Sequence, residues 1–420
     1  MIITHCYKIK PSQQQIAQME DWLDLLRRHW NYALGQRLDW LMRTRCYIDR
    51  CSLISCPIGE IPAKVDYYSQ QSELKETKRL FPNYKEIYSE VQQINLQRLK
   101  IAWERWLIPE QSGKRCGKPR FKKVGSLRSF SFSRVNHPKA AIKFDGKNII
   151  TTRIGIIPVV VHRPIPDGFV IQTATIVKKA DGWYVCFSLK DDSVPELLPV
   201  YRIKTGVGVD VGLKELCVTS TGETFPFKRF YRKAQTQLAT SQRKLSRKQK
   251  RSNNYLKQLN RVQRIHQKIQ RQRKQQHYKI AHSLVNRYDL IAVEDLNIKG
   301  LARTPLSKSI LDAGWGGFLT RLEAVAVKRG IQFVKVSAYG TTQECSSCGT
   351  NVPKDLSVRT HECPKCQVVL DRDENAALNI LNRALNEVGI ILSACGGLVS
   401  RQPLKQETSR TEEYIQLSVS

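Results

Sequence analysis

Apolar positions along this chain follow three successive patterns. Between residues 12 and 108 they recur at helical spacing. In "IAQMEDWLDLLRRHWNYALGQRLDWLM" one wide face collects Leu23, Leu26, Trp30, Ala33, Leu34 and Leu38. In "YSEVQQINLQRLKIAWERWL" a similar face collects Val91, Ile94, Leu99, Trp103 and Trp106. The Cys-, Pro- and Gly-rich "CYIDRCSLISCPIGEIPAK" between them predicts an irregular connection. From residue 113 the period shortens. After the basic, glycine-punctuated "GKRCGKPRFKKVGS" come "RSFSFS", "AIKFDGKNIIT", "IPVVVHR" and "VIQTATIVKKADGWYVCFSLKD". Asp145-Gly146 and Asp181-Gly182 sit between β-rich runs, where hairpin turns belong. This density of short strands predicts a small β-barrel. A Pro-containing stretch near 192 to 204 reads as a linker.

In the third region, "GVGVDVGLKELCVTSTGETFPF" reads as strand, turn, strand. Residues 228 to 279 then hold eighteen Lys or Arg and no Asp or Glu. Leu238, Leu245 and Leu259, with Tyr255, Val262 and Ile269, recur at seven-residue steps, and "RSNN" interrupts them. Two antiparallel helices with a closed apolar seam and basic outer faces are expected. Farther on, "YDLIAVEDLNI" predicts a buried strand ending in acids. "GWGGFLTRLEAVAVKRG" predicts an amphipathic helix stopped by Gly330. "IQFVKVSAYG" predicts a strand and "DENAALNILNRAL" a closing helix. The polar final stretch, 393–420, is expected to be a flexible tail.

Charge narrows the function. A formal net charge of +32 on 420 residues strains a compact chain by self-repulsion, and a polyanion relieves it. Nucleic acid is the expected partner. A membrane surface could also attract such a chain, but no apolar run approaches the length of a spanning helix, and no secretory segment follows Met1. A cytoplasmic protein with reduced thiols is expected. Candidate nucleic-acid contacts are Arg120, Lys122 and Lys123 in the glycine-punctuated loop, and Arg243, Lys244, Arg247, Lys248, Lys250 and Arg251 around the hairpin's turn. Trp103, Trp106, Trp183 and Trp315 could stack on bases, but core packing is the better expectation for each.

Four of the twelve cysteines stand apart. Cys345-Ser-Ser-Cys348 and Cys363-Pro-Lys-Cys366 form two knuckles whose four thiolates can close a tetrahedron around Zn²⁺ with no open position. His361 is expected to be a bystander, and Cys46, Cys51 and Cys56 ordinary thiols. The carboxylates form a second constellation. Asp210 ends one apolar strand, Glu294 ends another, and Asp373 opens a helix. Clustered acids in desolvated surroundings need cations, and hard oxygen donors from separated segments suit Mg²⁺. Two such ions can drive phosphodiester hydrolysis. Each acid alone is also explained as a turn residue or helix cap. The order of elements follows a ribonuclease-H-like progression.

With these residues in place, the chain resembles transposon-encoded TnpB, the OrfB protein of insertion sequences, kin to type V CRISPR effectors. The motifs are "GVDVGLK", "AVEDLNIKGL", "GTTQECSSCG", "RTHECPKC" and "DRDENAALNIL", with "HWNYALGQRLDW" and "GKPRFKK" toward the N-terminus. The resemblance covers about 390 residues. It implies an α/β plus β-barrel multidomain protein. Residues 1–11 and 109–200 would form a wedge-like β-barrel, with a helical recognition lobe at 12–108 inserted. A RuvC-like nuclease domain would span 201–344 and 367–392, including the basic hairpin 228–283, with a zinc-binding element at 345–366. The implied activity is RNA-guided, Mg-dependent cleavage of double-stranded DNA beside a short motif, through a guide RNA and a single site of Asp210, Glu294 and Asp373. The motif selects Asp373 over Asp371. A monomer is expected. A nucleic-acid-binding regulator without cleavage and a strand-transfer transposase are the alternatives.

Overall fold

The computed structural model describes residues 2–44, 63–109, 113, 115–192, 196–355, 358–392 and 398–400. Cys46, Cys51 and Cys56 lie outside the described residues. The chain divides into two compact units, Met1–Ser193 and Val194–Ser420.

The first unit is built on a seven-stranded sheet. Its strands are β1 (Ile2–Ile9), β2 (Ser129–Phe132), β3 (Lys143–Phe144), β4 (Asn148–Thr151), β5 (Gly155–Val160), β6 (Val170–Lys179) and β7 (Gly182–Lys190). They run in the order β2-β6-β7-β1-β5-β4-β3, every neighbouring pair antiparallel. The turn between β3 and β4 carries Gly146 at φ 93°, a conformation that disfavours side chains with a Cβ and explains the Asp-Gly signal. Strict alternation buries Trp183, Val185, Phe187 and Leu189 along β7, as a one-sided sheet requires.

Helices α1 (Gln13–Thr44), α2 (Tyr67–Ser72), α3 (Leu74–Leu80) and α4 (Ser89–Leu107) complete the unit. The first turns of α1 bury Met19, Trp22 and Leu26 with Phe130, Phe132 and Phe187 of the sheet. Its later turns place Trp30, Ala33 and Leu34 against Leu96, Leu99 and Trp103 of α4 in a separate cluster. Trp103 and Trp183 are therefore core residues. So is Trp315 of the second unit, while Trp106 packs at the edge of the α1–α4 cluster.

Two sequence-based expectations need correction. Cys6 and Cys186 are joined in a disulfide, against the expectation that all thiols are reduced. They face each other directly in the β1–β7 register, a long-range pairing that spacing along the chain does not reveal. Part of the stretch expected to be a linker is packed structure: Ile203 is buried with Ile380, Leu381 and Leu385, and Leu198 N donates to Gly330 O at 2.7 Å.

In the second unit, a five-stranded sheet comprises β8 (Gly206–Val211), β9 (Glu215–Thr219), β10 (Thr224–Pro226), β11 (Leu290–Glu294) and β12 (Gln332–Val336), in the order β10-β9-β8-β11-β12. The pairs β8–β11 and β11–β12 are parallel and the others antiparallel. Every residue of central β11 is buried, because both faces are covered. On one face Val207, Val209, Ile291 and Val293 meet Phe318, Leu322 and Leu284. On the other, Leu290 and Ala292 meet Ile380, Leu381 and Leu385.

The helices are α5 (Phe230–Ser246), α6 (Asn253–Val285), α7 (Ile298–Leu301), α8 (Ser307–Ala313), α9 (Trp315–Lys328) and α10 (Arg372–Val388). Ser252 caps α6 by accepting from Tyr255 N at 3.1 Å, which is how "RSNN" ends one helix and begins the next. Leu238, Val262 and Ile269 fill the hairpin seam, and Gln258 Nε2 bridges to Ser241 O at 2.9 Å. The hairpin's base is fixed by buried Asp312, which accepts from the N–H groups of Tyr231 and Arg232 at 2.8 and 3.2 Å. Arg273 also donates to it at 3.2 Å. Gly330, at φ 70°, follows α9 as expected. Beyond α10, strands β15 (Ile390–Leu392) and β16 (Leu398–Ser400) pair, so part of the segment expected to be a tail is a strand. The strands β13 (Thr360–Glu362) and β14 (Val369–Asp371), which precede α10, form an antiparallel hairpin.

Two consequences are testable. A Cβ on Gly208 would overlap Ala377 O and come within 2.9 Å of Leu381 N. Gly208→Ala is therefore expected to destabilise the second unit by about 3 kcal/mol, read as a lowered thermal midpoint. His277 in α6 is buried against Ala313 O (Nε2 to O 3.0 Å). Burial, helped by Arg321 and Arg273, pulls its pKa from 6.5 to about 4, although the Ala313 contact opposes the shift. The unfolded chain thus takes up this proton first. The associated stability is present above pH 6.5 and is lost as pH falls toward 4, about 3 kcal/mol in all. The urea midpoint should fall across that window, and His277→Gln should flatten the fall.

Candidate active site and four-cysteine centre

Parallel pairing sets Val209 opposite Val293, so the next residues, Asp210 and Glu294, stand side by side at the same end of β8 and β11. Asp373 enters from α10, whose backbone lies against Gly208. A Cβ on Gly212, just past Asp210, would sit 3.9 Å from Asp373 Oδ2. The structure therefore brings all three acids together. They are 8, 9 and 8 % exposed for Asp210, Glu294 and Asp373, dry enough for their charges to interact strongly. Burial holds the Asp210 carboxyl well above its ordinary range, and Glu294 and Asp373 push it further, with Arg372 opposing. Burial also raises Glu294, while a hydrogen bond from the Thr341 hydroxyl to its Oε1 pulls it back.

The neighbours of Asp373 have separate tasks. Asp371 caps α10, its side chain accepting from Asp373 N at 2.8 Å. Arg372 donates through Nη2 to Asp373 Oδ1 at 2.9 Å, and Arg359 through Nη1 to Oδ2 at 3.3 Å. Trp315 Nε1 donates to Gly212 O at 3.2 Å, steadying the turn after Asp210.

The thiols of Cys345, Cys348, Cys363 and Cys366 all lie within 4.8 Å of one another, a group that could hold a metal ion. The Cys348 thiol is drawn down to about 6, chiefly by hydrogen bonding with Thr350, whereas Cys366 is pushed up to about 11 with burial and the neighbouring thiols raising it. His361 is buried nearby with its Nδ1 against Lys354 Nζ and is not one of this group.

Sequence reasoning missed the groups that join this centre to the acids. Asn375 Nδ2 donates to Glu344 O at 2.7 Å and its Oδ1 accepts from Ser346 N at 2.9 Å. Asn379 Nδ2 reaches Thr341 O and Glu344 O at 2.8 and 2.7 Å. These contacts lash the first knuckle to α10. A signal existed: two Asn four residues apart on the same face as Ala376 and Ile380, where a helix should be apolar. Thr341, Arg359 and Arg372 lie inside the quoted motifs, but their spacing assigns them no role.

The basic candidates are placed as follows. Arg243, Lys244, Arg247, Lys248, Lys250 and Arg251 are all exposed around the hairpin turn. In the first unit, the loop with Arg120, Lys122 and Lys123 is pinned to α1. Trp30 Nε1 donates to Arg120 O at 3.3 Å, and Asn31 brackets Lys122 through its O and N at 3.0 and 2.7 Å. The Lys122 ammonium lies 4.1 Å from the centre of the Trp30 ring. Arg120 and Lys123 remain exposed. Among the described residues no helix is long and apolar enough to cross a membrane.

Several stretches of the chain match known protein families. Residues 185–304 match the OrfB_IS605 model, described as "Probable transposase", and residues 315–380 match the Cas12f1-like TNB domain. Residues 1–46 match a helix-turn-helix domain of the same OrfB group, although residues 2–44 here form one strand and one unbroken helix. Along 96 % of both chains, the protein is 28 % identical to "Putative RNA-guided DNA endonuclease InsQ" of Escherichia coli K12. A Streptomyces pristinaespiralis protein named "Putative RNA-guided DNA endonuclease" is 28 % identical over 96 % of this chain and 93 % of its own. "TnpB-like protein L79" of Acanthamoeba polyphaga mimivirus is 32 % identical over 46 % of this chain and 40 % of its own. The chain is thus similar to TnpB (OrfB) proteins in several stretches and, over residues 315–380, to a domain of Cas12f1-like proteins.

Proposed function

We propose that this protein is an RNA-guided DNA endonuclease of an insertion sequence, cutting double-stranded DNA beside a short motif at one RuvC-like site. The observation that carries the reading is the convergence of Asp210, Glu294 and Asp373 in a buried cluster that keeps Asp210 above its ordinary pKa. Such a donor set fits hard divalent cations. Asp210, Glu294 and Asp373 would hold Mg²⁺, in the two-ion arrangement such sites use. Bound there, Mg²⁺ would supply an activated water and stabilise the leaving oxygen of a phosphodiester. The chain's own part is positional. Thr341 fixes the Glu294 carboxylate, the Asp371 cap sets the start of α10, and Trp315 holds the turn at Gly212.

On this reading the second unit's sheet is the RuvC-like core at 201–344 and 367–392, and residues 345–366 are a structural zinc element. Four thiolates would fill the positions of a tetrahedral ion and leave none for a reacting ligand. The seven-stranded sheet is the family's wedge-like barrel at 1–11 and 109–200, and residues 12–108 are the recognition lobe. The exposed arginines and lysines of loop and hairpin contact the phosphates of guide RNA and target DNA, without reading sequence. The working form is a cytoplasmic monomer.

The test begins with the protein purified from its host and the RNA that accompanies it sequenced. Reconstituted with that guide, the protein should cut matching DNA only when a divalent cation is present. Binding without cutting, under every divalent cation tried, would leave only a nucleic-acid-binding regulator. Joined DNA ends as product would indicate strand transfer.

A further inference from the structure

The carboxylate at the head of α10 already has cations. Arg372 donates to Asp373 Oδ1 through Nη2 and Nε at 2.9 and 3.1 Å, and its Nη1 reaches Val358 O at 3.3 Å. Arg359 donates to the other oxygen, Oδ2, at 3.3 Å. The two arginines are tied together, since Arg372 N donates to Arg359 O at 2.6 Å. Both oxygens of Asp373 are thereby engaged by guanidinium groups. The hydrogen bond to neighbouring Glu294, by contrast, comes from a neutral hydroxyl. Arg359 is supplied by the segment between the two cysteine knuckles, immediately before β13.

We propose that Arg359 and Arg372 form an internal counter-cation for Asp373 that a divalent metal must displace, so that these two residues set the metal concentration at which the site becomes competent. The inference rests on the three acids being the metal site. The physical ground is competition. A guanidinium occupying a carboxylate blocks it as a ligand, and its charge repels an incoming dication in surroundings that screen poorly. Because Arg359 belongs to the four-cysteine element, that element governs metal occupancy as well as helix placement. Both arginines are positioning residues.

A titration of the zinc-loaded full chain with Mn²⁺, read by electron paramagnetic resonance of the free ion, separates the outcomes. Arg359→Gln is expected to bind Mn²⁺ about three- to tenfold more tightly than wild type, as loss of a nearby like charge implies. Arg372→Gln should tighten binding at least as much, while Arg372→Lys keeps the charge and stays near wild type. The Mg²⁺ midpoint for DNA cleavage should fall in parallel. Unchanged or weaker Mn²⁺ binding in Arg359→Gln overturns the proposal, since it makes the arginines mere supports for a ligand. Should Arg372→Gln fail to fold, Arg359→Gln decides alone; its side chain is 47 % exposed and tolerates exchange. Asp210→Asn serves as the separate control. If it leaves Mn²⁺ binding intact, the metal-site reading fails, whatever the arginines do.

Discussion

Asp210→Ala is expected to lower guided DNA cleavage at least about a thousandfold, the scale of losing several kcal/mol of transition-state charge stabilisation. RNA binding should survive, because a polyanion is held chiefly by arginines and lysines, and those around the hairpin turn, far from Asp210 in the sequence, stay exposed. The measurement pairs a cleavage assay with a filter-binding assay on the same preparation. Undiminished cutting would remove Asp210 from the site. The two acids flanking Arg372 give a sharper comparison. Asp373→Asn should be nearly as severe as the loss of Asp210. Asp371→Asn should retain most activity, because Asn caps a helix about as well as Asp and the role of Asp371 is to accept from Asp373 N. Equal losses from these two substitutions would contradict the division of labour between cap and ligand.

Disrupting the four-cysteine centre is the second large effect. Structural zinc contributes on the order of 10 kcal/mol or more to folding of the segment that binds it, so Cys363→Ser should eject the metal and unfold the knuckles. The consequence for cleavage follows from two connections. Thr341, at the entry to the first knuckle, holds Glu294. Asn375 and Asn379 fasten that knuckle to the helix that carries Asp373. Two of the three acids therefore lose their supports together. Cleavage is expected to fall at least about a hundredfold, since a misplacement near 1 Å has that scale. Zinc content by mass spectrometry should drop in step, with RNA binding largely retained. A zinc-free variant that cuts normally would show that the element only decorates the fold.

What could be read from the sequence was short in range. The helical faces of α1 and α4, the hairpin turn after Asp145 and the break that starts α6 follow from spacing and local turn chemistry. So does the closeness of Cys345 to Cys348, and of Cys363 to Cys366, because two intervening residues leave little freedom. Acids at or near the ends of apolar strands could be picked out for the same reason. The family motifs lie on these local features.

Convergence belongs to the tertiary structure. Asp210 and Glu294 become neighbours only through the parallel register of β8 and β11, and Asp373 joins them only because Gly208 lets α10 lie directly on the sheet. The Cys6–Cys186 disulfide, the packing of Ile203 and the grip of Arg359 and Arg372 on Asp373 likewise depend on which surfaces meet. In this protein the sequence alone determined most of the elements and the chemistry each carries. The fold decided which carboxylates share a low-dielectric space and which cations oppose them, because electrostatic coupling depends on distance in space and on burial, and residue spacing along the chain encodes neither.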